Sequence, residues 1–203
     1  MIENKTNDNS KQKIIAVATK LFAQKGFDGV SIRAICKQAD INISMISYYF
    51  GGKKELYHSI TETIIEKQTE YAKAFIDFDI QLNKLSKKEK IDMLCKITDK
   101  AVDFFYSTVS DDLMLFLLKE QQNPNAQLNS PTINFVKKLI ASIIGKKEND
   151  METVLKTIFL ISQISSPRIF KFIHLVQQEQ KSYTKKYLQI IKDNLKKYIK
   201  EMF

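Results

Sequence analysis

Apolar residues recur three and four apart along most of this chain, and strand-like alternation is absent, so the pattern predicts helices throughout. Residues 1–10 carry no apolar stripe and are expected to form a disordered polar arm. Over Lys11–Gln24, Ile14, Val17, Ala18, Leu21 and Phe22 share one face of an amphipathic helix. Gly26 follows, where a glycine ends a helix by taking the left-handed backbone. Ser31 is placed to cap a short second helix in which Ile32, Ile35 and Cys36 make the apolar face while Arg33 and Lys37 point away. Asp40 sits at the turn, since aspartate tolerates left-handed backbone better than most residues. Asn42 caps a third helix, whose Ile46 and Phe50 lie four apart on an inward face. Gly51 and Gly52 break that helix, and Lys53 opens a long one reaching about residue 78, with Leu56, Ile60, Ile64 and Tyr71 in a stripe.

From about residue 88 onward the pattern predicts six more helices. Residues 88–107 carry Ile91, Leu94, Cys95, Val102 and Phe105. Residues 110–122 are apolar almost all round, from Leu113 to Leu118, which suits a central, buried helix. Asn123-Pro124 stops it, and Pro131 opens the next at its first turn, running to Gly145. Asn149 or Asp150 caps a helix to about Ser165. Ser166-Pro167 is expected to interrupt it before a helix over residues 168–179, and a last helix runs from about Tyr183 to the end.

Composition narrows the class. A chain of 203 residues with 44% hydrophobic residues buries a proper core, and three prolines and five glycines are few enough to favour an all-α fold. The formal charge of +9 permits nucleic-acid binding without marking where. Residues 1–60 hold nine Lys/Arg and five Asp/Glu, so about half the excess lies elsewhere. Arg33 and Arg168 are the only arginines, which makes arginine reading of guanine a minor route unless Arg33 supplies it. Cys36 and Cys95 read as small core residues, with a redox role the alternative. His58 and His174 lack ligand spacing, and neither a metal nor a cofactor is expected. No apolar run suits a membrane span and the N-terminus has no signal-peptide core, so a cytoplasmic protein without membrane contact is expected.

The third helix carries the most informative chemistry. Its outer face presents Ser44, Met45, Ser47 and Tyr48 and no carboxylate. Hydroxyls can bond phosphate oxygens or base edges, whereas carboxylates would be repelled, so this face suits a nucleic-acid groove. The run KIIAVATKLFAQKGFDGVSIRAICKQADINISMISYYFGGKKELYHSI, with its ATKLF, KGF and ISYYFGGKKEL segments in order, resembles the DNA-binding domain of the TetR family of bacterial transcription regulators over residues 11 to about 60. Two positions depart from the family pattern. Asp40 stands where glycine is usual at the turn, and Ser47 stands where tyrosine is frequent, which shifts a phosphate contact to Tyr48 or Tyr49. LxLLKEQQNP over residues 113–124 resembles a subgroup with a particular C-terminal domain.

The resemblance implies a helix-turn-helix domain over residues 11–57 and a larger C-terminal effector-binding and dimerisation domain over 58–203. It implies DNA contacts from Ser31, Arg33, Asn42, Ser44, Met45, Ser47, Tyr48, Tyr49 and Lys53, with Ser31 and the Lys53 region on phosphates and Ser44, Met45 and Tyr48 near base edges. Met45 suits a thymine methyl, and Tyr49 alternatively packs inward beside Phe50. An effector pocket is implied, with Phe75, Phe78, Leu94, Val102, Phe105, Leu113, Phe116 and Leu117 as candidate lining and Asp103 or Gln121 as its polar group; the same residues also read as ordinary core. The helices near 150–165 and 183–202 are the implied dimer pair, through Val154, Leu155, Ile158, Phe159, Ile161 and Ile164 and through Tyr187, Leu188, Ile191, Leu195, Tyr198 and Ile199.

The expected function is a homodimeric repressor on a double-stranded DNA operator, released by a small hydrophobic effector. A ligand-independent regulator or an activator is the alternative within DNA binding. A helical adaptor with a vestigial DNA-binding fold is the alternative from another class. No Ser-His-Asp set, paired carboxylates or nucleotide signature favours an enzyme.

Overall fold

The computed structural model describes residues 2–122, 129–170 and 183–203, with side chains from residue 9. Those residues form helices α1 Ile2–Lys25, α2 Ile32–Ala39, α3 Ser44–Phe50, α4 Lys53–Lys73, α5 Lys87–Thr108, α6 Asp111–Glu120, α7 Pro131–Ile144, α8 Met151–Ile169 and α9 Lys185–Met202, with a 3₁₀ turn at Leu82–Lys84 and no strand among them. The chain divides into two compact units. The first comprises Met1–Lys67 and Val109–Leu128, the second Gln68–Thr108 and Asn129–Phe203.

The first unit is built on α1. Ile14, Ala18, Leu21 and Phe22 are buried at the expected spacing, and Gly26, at φ +72°, ends the helix with its N–H on the Phe22 carbonyl at 2.9 Å. The expected disordered arm is instead the first turns of α1: residues 2–10 include no glycine or proline, and polar residues cost a helix only tenths of a kcal/mol each, roughly up to 0.7. Ile35, Cys36, Ile46, Leu56 and Ile60 close the same core.

Helix α6 also belongs to this unit and packs on α1. Phe116 is 1% exposed, and its ring lies 4.8 Å from that of Tyr57, which also meets Phe22 edge-on at 5.0 Å. The Tyr57 hydroxyl donates to Glu120 Oε2 at 2.6 Å. Burial first, then the bond to and charge of Glu120, push the Tyr57 phenol well above its ordinary range, so it stays a donor. The division by compactness therefore differs from a single break at residue 57, because a sequence far along the chain supplies part of the first core.

The second unit surrounds Leu94, Val102, Leu139, Ile140, Leu160, Leu195 and Ile199. Serine and aspartate caps set its helices: Ser130 accepts from the Ile133 N–H before Pro131, and Asp150 accepts from the Glu152 N–H. Lys192 Nζ on α9 lies 2.7 Å from Asp103 and 3.2 Å from Asp99, both on α5. Pro167 does not interrupt α8. It lies inside the last turn, where a missing N–H removes one bond just before the helix ends at Ile169. The expected helix over 168–179 and the Asn123-Pro124 stop lie largely or wholly outside the described residues.

Candidate nucleic-acid interface

Helices α2 and α3 and the turn between them hold the candidate surface. Ser31 Oγ accepts from the Ala34 N–H at 3.1 Å, fixing the start of α2. Ile35, Cys36 and Ala39 anchor it to the core, leaving Arg33 and Lys37 exposed. Asp40 has φ +51°, the left-handed conformation that glycine would take without strain, and its N–H bonds the Cys36 carbonyl. Asn42 Oδ1 then accepts both the Ser44 N–H and the Ser44 hydroxyl, each at 3.0 Å, so the asparagine side chain caps α3 from just outside it. Gly51, at φ +86°, closes α3 with its N–H on the Ser47 carbonyl at 3.0 Å.

Ile46, fully buried, pins α3 to the unit and turns a row of side chains outward: Asn42, Ile43, Ser44, Ser47 and Tyr48 are exposed, Tyr48 by 75%. Tyr48 rests edge-on against Tyr49 at 5.0 Å, and Tyr49 in turn meets Phe50 at 6.2 Å. Met45 and Tyr49 are half-buried against the core of the first unit rather than fully outward. Lys53 is also half-buried, its ammonium 4.2 Å above the Phe27 ring, while Lys54 is exposed. The sequence reading omitted Ile43, although the order Asp-Ile-Asn-Ile-Ser put an apolar residue between two polar ones where only one isoleucine was needed inside.

The charge lies elsewhere. By sequence the first unit holds eleven Lys/Arg and ten Asp/Glu, the second twenty-one and thirteen. The candidate interface is thus marked by shape and hydroxyl chemistry, not by bulk charge. Cys36 is buried and Cys95 half-buried; both are free, and burial is the largest cause raising each thiol above its ordinary value, which suppresses thiolate reactivity. Among the described residues no three His, Cys, Asp or Glu side chains gather as a metal site, and no helix is long and apolar enough to cross a membrane.

The other two predicted sites are rearranged. Of the candidate pocket residues, Leu94 and Val102 are fully buried in the second unit, Phe75 and Phe78 are partly buried there, and Phe105 lies 5.1 Å under the Arg168 guanidinium. Leu113, Phe116 and Leu117 belong to the core of the first unit. Asp103 is paired with Lys192 and Gln121 is exposed, so neither is the buried polar group expected.

At the candidate dimer surface, Ile191, Leu195 and Ile199 face inward at 8%, 3% and 0% exposure, because their four-residue spacing makes the single stripe that the core of the second unit takes up. Val154, Ile161, Tyr187, Leu188 and Tyr198 are partly buried. Helix α8 carries apolar residues on both sides, Leu160 buried in the core and others exposed. Its inward side carries Thr153 and Thr157, which bond the Lys147 and Thr153 carbonyls, while Met151, Leu155, Ile158 and Phe159 stand exposed.

Comparison with known proteins agrees with this geometry. Residues 14–60 match the model of bacterial regulatory proteins of the tetR family, and residues 90–202 match that of the C-terminal domain of the HTH-type transcriptional dual regulator CecR. The CecR protein of Shigella flexneri is 26% identical over 174 residues, covering 81% of this chain and 78% of its own length. A Bacillus subtilis (strain 168) protein named "Probable HTH-type transcriptional regulator YttP" is 48% identical over 58 residues, only 29% of this chain and 28% of that protein. The crystal structure of a TetR-like transcriptional regulator from Rhodococcus sp. RHA1 superposes with a TM-score of 0.61 at 18% identity, covering 95% of this chain and 94% of that one, which establishes the shared fold.

Proposed function

Since the chain belongs to the TetR family of bacterial transcription regulators, with a C-terminal domain of the CecR type, we propose that it acts as a homodimeric repressor released from its operator by a small hydrophobic ligand. The observation that carries the DNA half of this reading is the exposed row on α3: hydroxyls and a phenol, no carboxylate, held by Ile46 and the Asn42 cap. Ser44, Ser47 and Tyr48 address the groove, while Ser31, Arg33 and Lys54 address phosphates. Met45 and Tyr49 support the row from beneath, and Lys53 acts from its perch on Phe27.

Two copies would set their α3 helices about 34–36 Å apart in successive major grooves. The exposed apolar side of α8, where Met151, Leu155 and Phe159 gather with Tyr198 and Met202 of α9, supports dimerisation, because apolar surface of this kind is characteristic of an interface. For the ligand we propose the aromatic-rich part of the second unit that holds Phe75, Phe78, Leu94, Val102 and Phe105, the candidate lining residues that fall in that unit. Helix α4 supplies residues to both units and is the covalent route by which ligand binding would bias DNA affinity, by about 1–3 kcal/mol in a typical coupling. Regulation of both signs is the second reading, favoured by the match of the C-terminal half to a domain described for a dual regulator.

The test is fluorescence anisotropy on duplexes drawn from upstream of the protein's own gene, followed by addition of apolar and aromatic compounds that raise its Tm. Specific binding reversed by such a compound is expected. Specific binding that only strongly polar compounds reverse would overturn the hydrophobic-ligand reading, and absence of any specific duplex would overturn the operator reading.

A further inference from the structure

We propose that Ile43 reads a thymine methyl group in the major groove, making it a specificity-determining residue of the operator half-site. The inference rests on the DNA-binding reading above and adds the base class that this surface recognises.

Ile43 is 50% exposed, at φ −59° and ψ −31°, immediately before α3. Its carbonyl accepts the Ile46 N–H at 3.2 Å, so its backbone is fixed by the same turn that buries Ile46. As a β-branched residue it has few χ1 choices, and it presents a nearly rigid apolar knob. Among the described residues of the first unit, the exposed large apolar side chains are Ile43, Tyr48 and Leu115, and the first two flank Ser44 and Ser47 on one surface. An isolated exposed isoleucine would need no explanation. One set into a hydroxyl-bearing row on a groove-sized helix calls for an apolar partner there.

The polar alternatives for base reading are restricted. Helix α3 carries no charged side chain, and Arg33, on α2, is the only arginine of the first unit. The bidentate contact to guanine O6 and N7 therefore has no arginine or lysine on α3. Reading adenine by asparagine requires the amide oxygen to accept from N6 while the amide nitrogen donates to N7. The Asn42 oxygen already accepts two bonds from Ser44, at 3.0 Å each, so that contact would unmake the cap of α3. The C5-methyl of thymine is the apolar group on the major-groove base edges, and it matches Ile43.

The experiment uses the full chain and a random-sequence duplex library enriched by repeated gel-shift selection. Each thymine of the enriched site is then replaced in turn by deoxyuridine, which removes the methyl and leaves the hydrogen-bonding edge intact. Binding of wild type, Ile43→Ala and Ile43→Val is measured by anisotropy. At one thymine per half-site the wild type should lose about fourfold in Kd, the value of one buried methyl, and Ile43→Ala should lose nothing there. Ile43→Val should fall between them. An enriched site at which no uridine matters, or at which Ile43→Ala loses as much as wild type, overturns the assignment of Ile43 and leaves DNA binding standing. A library from which no sequence emerges overturns the operator reading as well.

Discussion

Replacing Phe159 with alanine tests the outward face of α8. Phe159 is 50% exposed. A phenylalanine buries roughly 150–250 Å², so about 100 Å² of this side chain remains for a partner. At about 25 cal/mol per Å² that area contributes ~2.5 kcal/mol, of which a methyl stub would retain little. Truncation thus removes ~2 kcal/mol from each protomer. A two-fold interface contains the residue twice, giving ~4 kcal/mol per dimer, roughly a thousandfold in the dissociation constant. Analytical ultracentrifugation over a concentration series reads this directly, with circular dichroism confirming that the helices persist. Leu195→Ala is the contrast. Leu195 is 3% exposed inside the second unit, so its loss should lower Tm through about 2–5 kcal/mol of core stability and leave the dimer constant near wild type. A Phe159→Ala protein that dimerises within about threefold of wild type would refute the placement of the interface, since threefold corresponds to well under 1 kcal/mol.

Two further substitutions probe the first unit. Asp40→Gly should raise Tm by relieving roughly 1 kcal/mol of left-handed strain, whereas Asp40→Val should lower it; the reverse order in a thermal melt would show that the turn is not held at the observed φ of +51°. Tyr57→Phe removes the 2.6 Å bond to the buried Glu120 carboxylate and should cost about 1.5–3 kcal/mol in urea unfolding; a change below about 0.5 kcal/mol would show that the pair contributes little.

The helix-turn-helix unit was legible because each of its devices is local. The Ser31 cap, the left-handed Asp40, the Asn42 cap and the two glycines after Phe50 each act over four residues or fewer, and sequence spacing reports such distances well. Helix α6 was legible as a helix but not as a neighbour of α1. Periodicity states which side is apolar and is silent on what lies against it, so Leu113, Phe116 and Leu117 were grouped with Phe75 and Leu94, whereas they pack in the core of the first unit. The same limit affected α9: its stripe of Ile191, Leu195 and Ile199 is buried in the core of the second unit, while Leu155, Ile158 and Phe159 of α8, named from the sequence beside them, stand exposed. There the sequence did hold a signal, since threonines at 153 and 157 share one face while Leu155, Ile158 and Phe159 occupy another. Pro167 was read as a break because the rule for helix interiors was applied to a position two residues from a helix end.

The role of α3 in operator reading is tested by Tyr48→Ala titrated against the enriched operator and a scrambled duplex of equal length, at two salt concentrations. Tyr48 is 75% exposed and meets Tyr49 in a T-shaped contact at the surface, so folding should be unaffected. Operator affinity should fall by about 1–3 kcal/mol while the weaker, salt-dependent affinity for the scrambled duplex changes little. Operator affinity equal to wild type, or an equal loss on both duplexes, would contradict the assignment of α3 as the element that reads the operator.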